Sequence, residues 1–373
     1  MNICMKICIV STWIPSKKLP YSGSWVFDFA ESLVKYGFNV SIIGPMGESD
    51  EPVEHTDFMS IYRVNSKLPI FSMFALINKI KPDVIHVHAP NIFSSNVIPI
   101  AKLKDIPIVA TVHLGEVEPI GKILSFFRRY ALARFKRIIA VSNYTRSLAI
   151  NAGAENSKIS VIYNSCDEKY FHFGRNKVTA RKKLNLPADT KIILFVGDLI
   201  KRKGVSCLIE SLQTLKLSQQ NFLAIILGEG KELQNLEAMV NEYNMRKYVR
   251  FNGHVTRASL ADFYTAADVF VLPSFSEGHA VALLEAMASG VPLVASDIEA
   301  NRVSIEDGVN GFLFEAGNVK KLSEKLLIIL TDNKLQQVMS ANSAKMYIEK
   351  FSSRTQIEEH VKIYNSLSIK KHD

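Results

Sequence analysis

The stretch DVFVLPSFSEGHAVALLEAMASGVPLVAS, Asp268–Ser296, reads as one strand–loop–helix–strand unit. DVFVLP and PLVAS are short apolar runs of the kind that form strands buried on both faces, and a helix begins between them near His279 or Ala280. A parallel pair joined by a helical crossover is the repeating unit of doubly wound α/β sheets. One residue is out of keeping with that helix. Glu285 lies in Ala280–Met287, which is otherwise apolar, and no other Asp, Glu, Lys or Arg occurs between Gly278 and Asp297. A helix that is apolar all round is buried, and a buried carboxylate needs partners.

The same alternation runs outward from this unit. ICIVST, NVSIIGP, DVIHVHA, IPIVATVH, RIIAVS and ISVIYN mark strands in the first half, and KIILFVGDL, FLAIILG and VRFNGHV in the second. Amphipathic stretches separate them, such as VFDFAESLVKYG, which ends at Gly37 as a helix should. Each half opens with a buried strand feeding a glycine-containing loop. The expected fold is therefore α/β, with two Rossmann-like domains facing a central cleft lined by the carboxyl ends of strands, where open sheets place ligands. The expected divisions are residues 1–168, a polar linker 169–190, a second domain 191–350, and a C-terminal helix within 351–373 patterned through Ile357, Val361, Ile363 and Tyr364.

With 373 residues, 47% of them hydrophobic, the chain can bury large cores, and wholesale disorder is excluded. A net charge of +9 favours anionic partners. The basic residues are dispersed and no recognition motif appears, which argues against nucleic acid. Cys4, Cys8, Cys166 and Cys207 are too few and scattered for a disulfide framework, so reduced thiols and a cytoplasmic location are expected. MNICMKICIVSTWIP has the look of a signal peptide but reads better as a first buried strand, because its apolar run is short and Pro15, Lys17 and Lys18 interrupt it. PIFSMFALI, bounded by Lys67 and Lys79, is too short to span a bilayer.

Candidate chemistry gathers at strand ends. Glu277 and Gly278 follow DVFVLPS, and the free N–H groups of the next helix turn, at His279, Ala280 and Val281, suit a phosphate or a sugar hydroxyl. Gly278 allows close backbone approach. Glu285 has two readings of equal weight: a carboxylate accepting from ribose hydroxyls, or one paired with a distant Arg or Lys. His86 and His88 share a strand face without a third ligand at telling spacing, so strand packing accounts for them better than a metal does. His113 closes a strand, and Gly23 in YSGSW is, by itself, an ordinary turn glycine.

Two glutamates separated by seven residues, Glu277 and Glu285, resemble the E-x(7)-E signature of glycosyltransferase family 4. The likeness spans nearly the whole chain through PDVIHVHA, ATVH, VSNYT, VIYNSCDEKYF, FVGDLIKRKGVSCLIESL, ILGEGKELQNLEAMV, VRFNGHV and IEDGVNGFLF, in that order. The resemblance implies a GT-B fold with an acceptor-binding first domain, a nucleotide-sugar-binding second domain, and a C-terminal helix that crosses back to the first. It implies a nucleotide-sugar donor, UDP- or GDP-linked, with retention of anomeric configuration and neither cofactor nor metal. By the same resemblance Glu285 binds the donor ribose and Glu277 sits near the transferred sugar. Lys203, with Gly197 and Arg202 beside it, faces the diphosphate. Gly253 to Val255 approach the base. Gly23 lies near the donor phosphate, and His113 close to the sugar.

The pattern is not followed everywhere. Asp198 stands where the family often has arginine, Val303 where it has a glutamate, and Ser165 where glycine is common. Arg202 or Lys201 are candidates to replace the missing arginine. ILSFFRRYALARFKRI, residues 123–138, is a basic amphipathic stretch that suits either an anionic membrane surface or an ordinary crossover helix. The expected activity is transfer of a hexose-type sugar to a surface glycan or lipid-linked acceptor. A GT-B nucleotide-sugar epimerase and a non-catalytic nucleotide-sugar-binding subunit are the alternatives.

Overall fold

The computed structural model describes residues 5–15, 23–47, 50–65, 67–113, 129–218 and 220–368. The chain divides into two compact units, Met1–Asn164 with Ser353–Asp373, and Ser165–Ser352.

In the first unit the described strands are β1 Lys6–Ser11, β2 Asn39–Pro45, β3 Val53–His55, β4 Ser60–Val64, β5 Val84–His88, β6 Ile108–Val112, β7 Arg137–Ala140 and β8 Ile159–Val161. They order β3-β4-β2-β1-β5-β6-β7-β8, parallel throughout except for β3 on β4. Side chains alternate across a strand, so β1 sends Ile7 and Ile9 into one core and Cys8 and Val10 into another. Both faces are covered, which is why its central strands read as unbroken apolar runs. Burial pushes the Cys8 thiol up to about 12, so it is a packing residue and not a nucleophile. The helix Ser353–Ser368 belongs to this unit. It packs on the helix Ser24–Lys35, and Ile357, Ile363 and Tyr364 complete the core on the Ile7–Ile9 face.

In the second unit β9 Lys191–Val196, β10 Phe222–Leu227, β11 Val249–Phe251, β12 Val269–Leu272, β13 Leu293–Ser296 and β14 Gly311–Phe314 order β11-β10-β9-β12-β13-β14, all parallel. Counted within the unit this is 3-2-1-4-5-6, the Rossmann order, with its topological switch between β9 and β12. Much of the expected linker is folded into this unit. The helix Lys177–Lys183 is held by buried Asp268, which takes Lys177 at 2.7 Å, Arg181 at 2.6 Å and the Ile192 amide at 2.6 Å. Three strands were not expected from the sequence: β3 is exposed, while β4 (SIYRV) and β14 (GFLF) are short. Of the basic stretch 123–138, residues 123–128 lie outside the described residues.

Candidate active site

The carboxyl ends of β9 and β12 flank the switch point, and the loops that leave them are locked together. After β9 the chain makes a single 3-10 turn, Lys201–Lys203, closed by Gly204 at φ +64°. A Cβ at Gly204 would stand 2.1 Å from the Pro273 carbonyl oxygen, so only glycine lets this turn reach the end of β12. The Phe275 amide then donates to the Arg202 carbonyl at 2.8 Å. This junction sets two cations on one carboxylate. Lys203 Nζ lies 2.8 Å from Glu277 Oε1 and Arg202 Nη1 3.4 Å from Oε2, with Arg202 also donating to the Ser276 carbonyl. Glu277 is 5% exposed. Burial alone would raise its pKa, but the adjacent Lys203 and Arg202 charges outweigh that and hold it below the usual carboxylate range. The pair of cations exceeds the single anion by one charge, which leaves attraction for a phosphate.

Gly197 follows β9 beside the aliphatic stem of Lys203, whose Cε lies 3.7 Å from where a Gly197 Cβ would be. Asp198 next to it points to solvent. Behind them the loop after β10 presses in: Gly228, at φ +132°, donates to the Gly253 carbonyl at 2.9 Å. A Cβ at Gly228 would be 2.0 Å from the Gly197 carbonyl oxygen. This contact was not legible in LGEG, a common turn sequence. Because the opposing atom is backbone, relaxation is blocked. Gly228→Ala is therefore expected to destabilise the second unit by more than about 2 kcal/mol, seen as a lower urea midpoint in a denaturation curve.

Glu285 lies in the helix Val281–Ala288 and is buried. The Tyr264 hydroxyl, from the helix Arg257–Ala266, reaches its Oε2 at 2.8 Å and the Ala282 carbonyl at 3.1 Å. Burial, with the Glu285 charge added, holds the Tyr264 phenol well above its ordinary pKa, so it remains a donor. A neutral hydroxyl satisfies one lone pair of the carboxylate without cancelling its charge, and a carboxylate has about four such sites. The His279 ring turns inward, 3.2 Å from Ser304 Oγ and against Phe351, and burial pushes it down to about 3. It is neutral, which leaves its backbone rather than its ring beside Gly278. Ala280 is buried, and Val281, Gly253 and Val255 are partly so.

In the first unit Gly23 caps the helix Ser24–Lys35, and the next residue but one, Trp25, lies over His113 with ring centroids 4.0 Å apart. His113 Nε2 is 3.2 Å from His88 Nδ1. His88 Nε2 is buried with no hydrogen-bond partner. An orphaned donor is rarer than an orphaned acceptor, so we assign the His88 proton to Nδ1, donating to His113, whose own proton then sits on Nδ1. Burial, with His360 adding, pushes His113 down to about 3. His86 is spoken for: Tyr364 Oη lies 2.6 Å from Nδ1 and Thr111 Oγ1 2.7 Å from Nε2. Among the described residues no group of His, Cys, Asp or Glu has the arrangement of a metal site.

Comparison with known proteins accounts for both halves. Residues 176–346 match the model of glycosyl transferases group 1, and residues 22–170 that of glycosyltransferase family 4. The chain belongs to glycosyltransferase family 4. An uncharacterised glycosyltransferase of Methanocaldococcus jannaschii is 27% identical to this family 4 glycosyltransferase over 96% of the chain and 98% of the relative. The UDP-Gal:α-D-GlcNAc-diphosphoundecaprenol α-1,3-galactosyltransferase of Escherichia coli is 26% identical over 81% and 80%. In fold, the glycosyltransferase resembles sucrose-phosphate synthase of Thermosynechococcus elongatus, with a TM-score of 0.84 at 20% identity, covering 97% and 99% of the two chains. It also resembles Anabaena HepE in complex with UDP-glucose, with a TM-score of 0.80 at 18% identity, covering 97% and 100%. These are GT-B folds.

Proposed function

We propose that this glycosyltransferase moves a hexose-type sugar from a UDP- or GDP-linked donor to a hydroxyl of a glycan or lipid-linked acceptor, with retention of anomeric configuration and without a metal. The observation that carries the reading is the pairing of Lys203 and Arg202 with buried Glu277 at the β9/β12 switch point, in the same unit as Glu285. The name of the Escherichia coli relative, with its UDP-Gal donor and diphosphoundecaprenol acceptor, supports a nucleotide sugar and a lipid carrier. HepE, with UDP-glucose bound, supports the donor class.

In this reading Lys203 and Arg202 neutralise the diphosphate as it leaves. Charge develops there in the transition state, so cations fixed beforehand accelerate the step without reorganising. They supply the positive charge that a metal supplies elsewhere. Glu277 holds both cations in place and keeps lone pairs for a sugar hydroxyl. Glu285, steadied by Tyr264, accepts from the ribose hydroxyls. The leaving phosphate takes the acceptor proton as the acceptor attacks from the same face.

Glu285→Ala is expected to raise the donor KM by about 10- to 100-fold, the worth of one or two charge-assisted hydrogen bonds, with a smaller change in kcat. Tyr264→Phe, which removes one neutral donor, should raise it about fivefold. Donor titrations of the two variants check this, and unchanged KM values in both would remove Glu285 from the donor site. A thermal-shift screen over UDP-, GDP-, ADP- and CMP-sugars identifies the donor. NMR of the product reads the anomeric configuration, and an inverted product overturns the retaining mechanism.

A further inference from the structure

The helix Pro69–Ile80 leaves an apolar stripe in solvent. Its inner residues, Pro69, Met73 and Ile77, are buried, whereas Phe71 is 73% exposed, Phe74 38%, and Leu68 just before the helix 69%. Positions 68, 71 and 74 lie on one side of a helix. The helix Val97–Leu103 packs alongside and ends in Leu103, which is 74% exposed. Lys104 Nζ sits 5.1 Å above the Phe74 ring and joins the two helices at the surface. On and beside these two helices Lys67, Lys81, Lys102 and Lys104 are exposed, as is Lys79, whose Nζ lies 5.3 Å from the centre of the Tyr62 ring. Asp83 and Asp105 are the only acidic residues from Lys67 to Asp105, and Asp83 accepts from the Lys6 amide.

Exposed aromatic and leucine side chains beside exposed lysines match the chemistry of an anionic bilayer surface. The apolar groups enter the headgroup–acyl boundary while the ammonium groups stay with the lipid phosphates. We propose that this face, Leu68, Phe71, Phe74 and Leu103 with their neighbouring lysines, docks the protein onto a membrane rich in anionic lipid. PIFSMFALI, too short to span a bilayer, is long enough to lie in its surface. Charge selects lipid as the occupant: a second copy of this chain would bring the same lysines against themselves. The docking face does not depend on the donor or acceptor reading.

The test is flotation of the full chain with vesicles of phosphatidylglycerol and phosphatidylcholine in equal parts, beside vesicles of phosphatidylcholine alone. Binding to the anionic vesicles that falls with salt is expected. Leu68→Ser with Phe71→Ser should weaken it about tenfold or more, and each of Lys79→Gln, Lys102→Gln and Lys104→Gln about fivefold at low salt. Val178→Ser with Leu217→Ser removes comparably exposed apolar side chains in the second unit and should change nothing. Turnover on a water-soluble acceptor should survive the Leu68/Phe71 changes, which shows a folded enzyme and separates failed docking from failed catalysis. No binding to anionic vesicles overturns the proposal. So does binding that survives the Leu68/Phe71 changes, or a concentration-dependent dimer that those changes abolish.

Discussion

Lys203→Ala is expected to lower turnover by about 10²- to 10³-fold, the usual result of removing one fixed charge from the site where an oxyanion develops. The donor KM should change less, because the charge it meets is greatest after the glycosidic bond has begun to break. A second effect comes with the first. Lys203 is the nearer of two cations on a carboxylate that is 5% exposed, and its loss leaves Glu277 with Arg202 at 3.4 Å. Breaking a buried pair by removing one partner costs about 3–5 kcal/mol, so the variant should also melt earlier. The two effects can be separated. Lys203→Ala with Glu277→Gln removes both charges and should recover much of the stability but none of the turnover. Wild-type turnover in Lys203→Ala would dismiss the lysine from the reaction.

Acid should unfold the first unit before the second. His86, His88, His113 and His360 form one cluster: His86 and His88 have ring centroids 4.3 Å apart, His88 and His113 5.4 Å, and His86 and His360 5.7 Å. Burial first, and in all but His360 the neighbouring imidazoles next, hold them neutral. His113 is pushed down to about 3, His360 to about 4, and His86 and His88 well below the ordinary 6.5. Around them stand Trp25 and Phe29 from the first helix, Thr111 from β6, and Tyr364 and Glu359 from the last.

Above pH 6.5 the histidines are neutral in both folded and unfolded chains and pH has no hold on them. Below it the unfolded chain takes up protons that the folded one refuses, so stability falls by about 1.4 kcal/mol per pH unit per histidine. Four histidines give up to about 5.5 kcal/mol per unit between pH 6.5 and about 4. In the second unit His279 is the described histidine so depressed. Both tryptophans, Trp13 and Trp25, lie in the first unit, so tryptophan fluorescence follows it alone while circular dichroism follows both. The fluorescence midpoint in urea should fall steeply as pH drops from 6.5 to 4, and His360→Leu should flatten that slope by about a quarter. A midpoint indifferent to pH across that window would mean that the cluster takes up protons freely while folded.

The central strands were legible because burial on both faces leaves them no polar positions, as in KIILFV and VFVL. The order of the strands in the second sheet, and with it the switch point between β9 and β12, is set by pairing between strands and is seen only in the fold. Glu285 was legible too, as one charge in an apolar helix, but its Tyr264 partner was not. RASLADFYTA is an ordinary amphipathic helix in sequence, and nothing marks which aromatic turns its hydroxyl inward. The junction of KRKG with Pro273, the seating of Gly228 on Gly197, and the pairing of His86 with Tyr364 join residues far apart in the chain. Such contacts are set by packing geometry, which no local pattern encodes. β14 was hidden for a related reason: GFLF is four residues beside a turn, and only its place next to β13 makes it a strand.

The return of the helix Ser353–Ser368 to the first unit matters most while the protein is being made. When Asn164 leaves the ribosome, the sheet face carrying Ile7 and Ile9 still lacks Ile357, Ile363 and Tyr364, and His86 lacks its tyrosine. The second unit is consecutive in sequence and can close as soon as it emerges. At ordinary rates of synthesis the first unit waits about 10–40 s for its last helix, with a strip of apolar surface open to chaperones or to other nascent chains. The half of the molecule that is translated first is completed last.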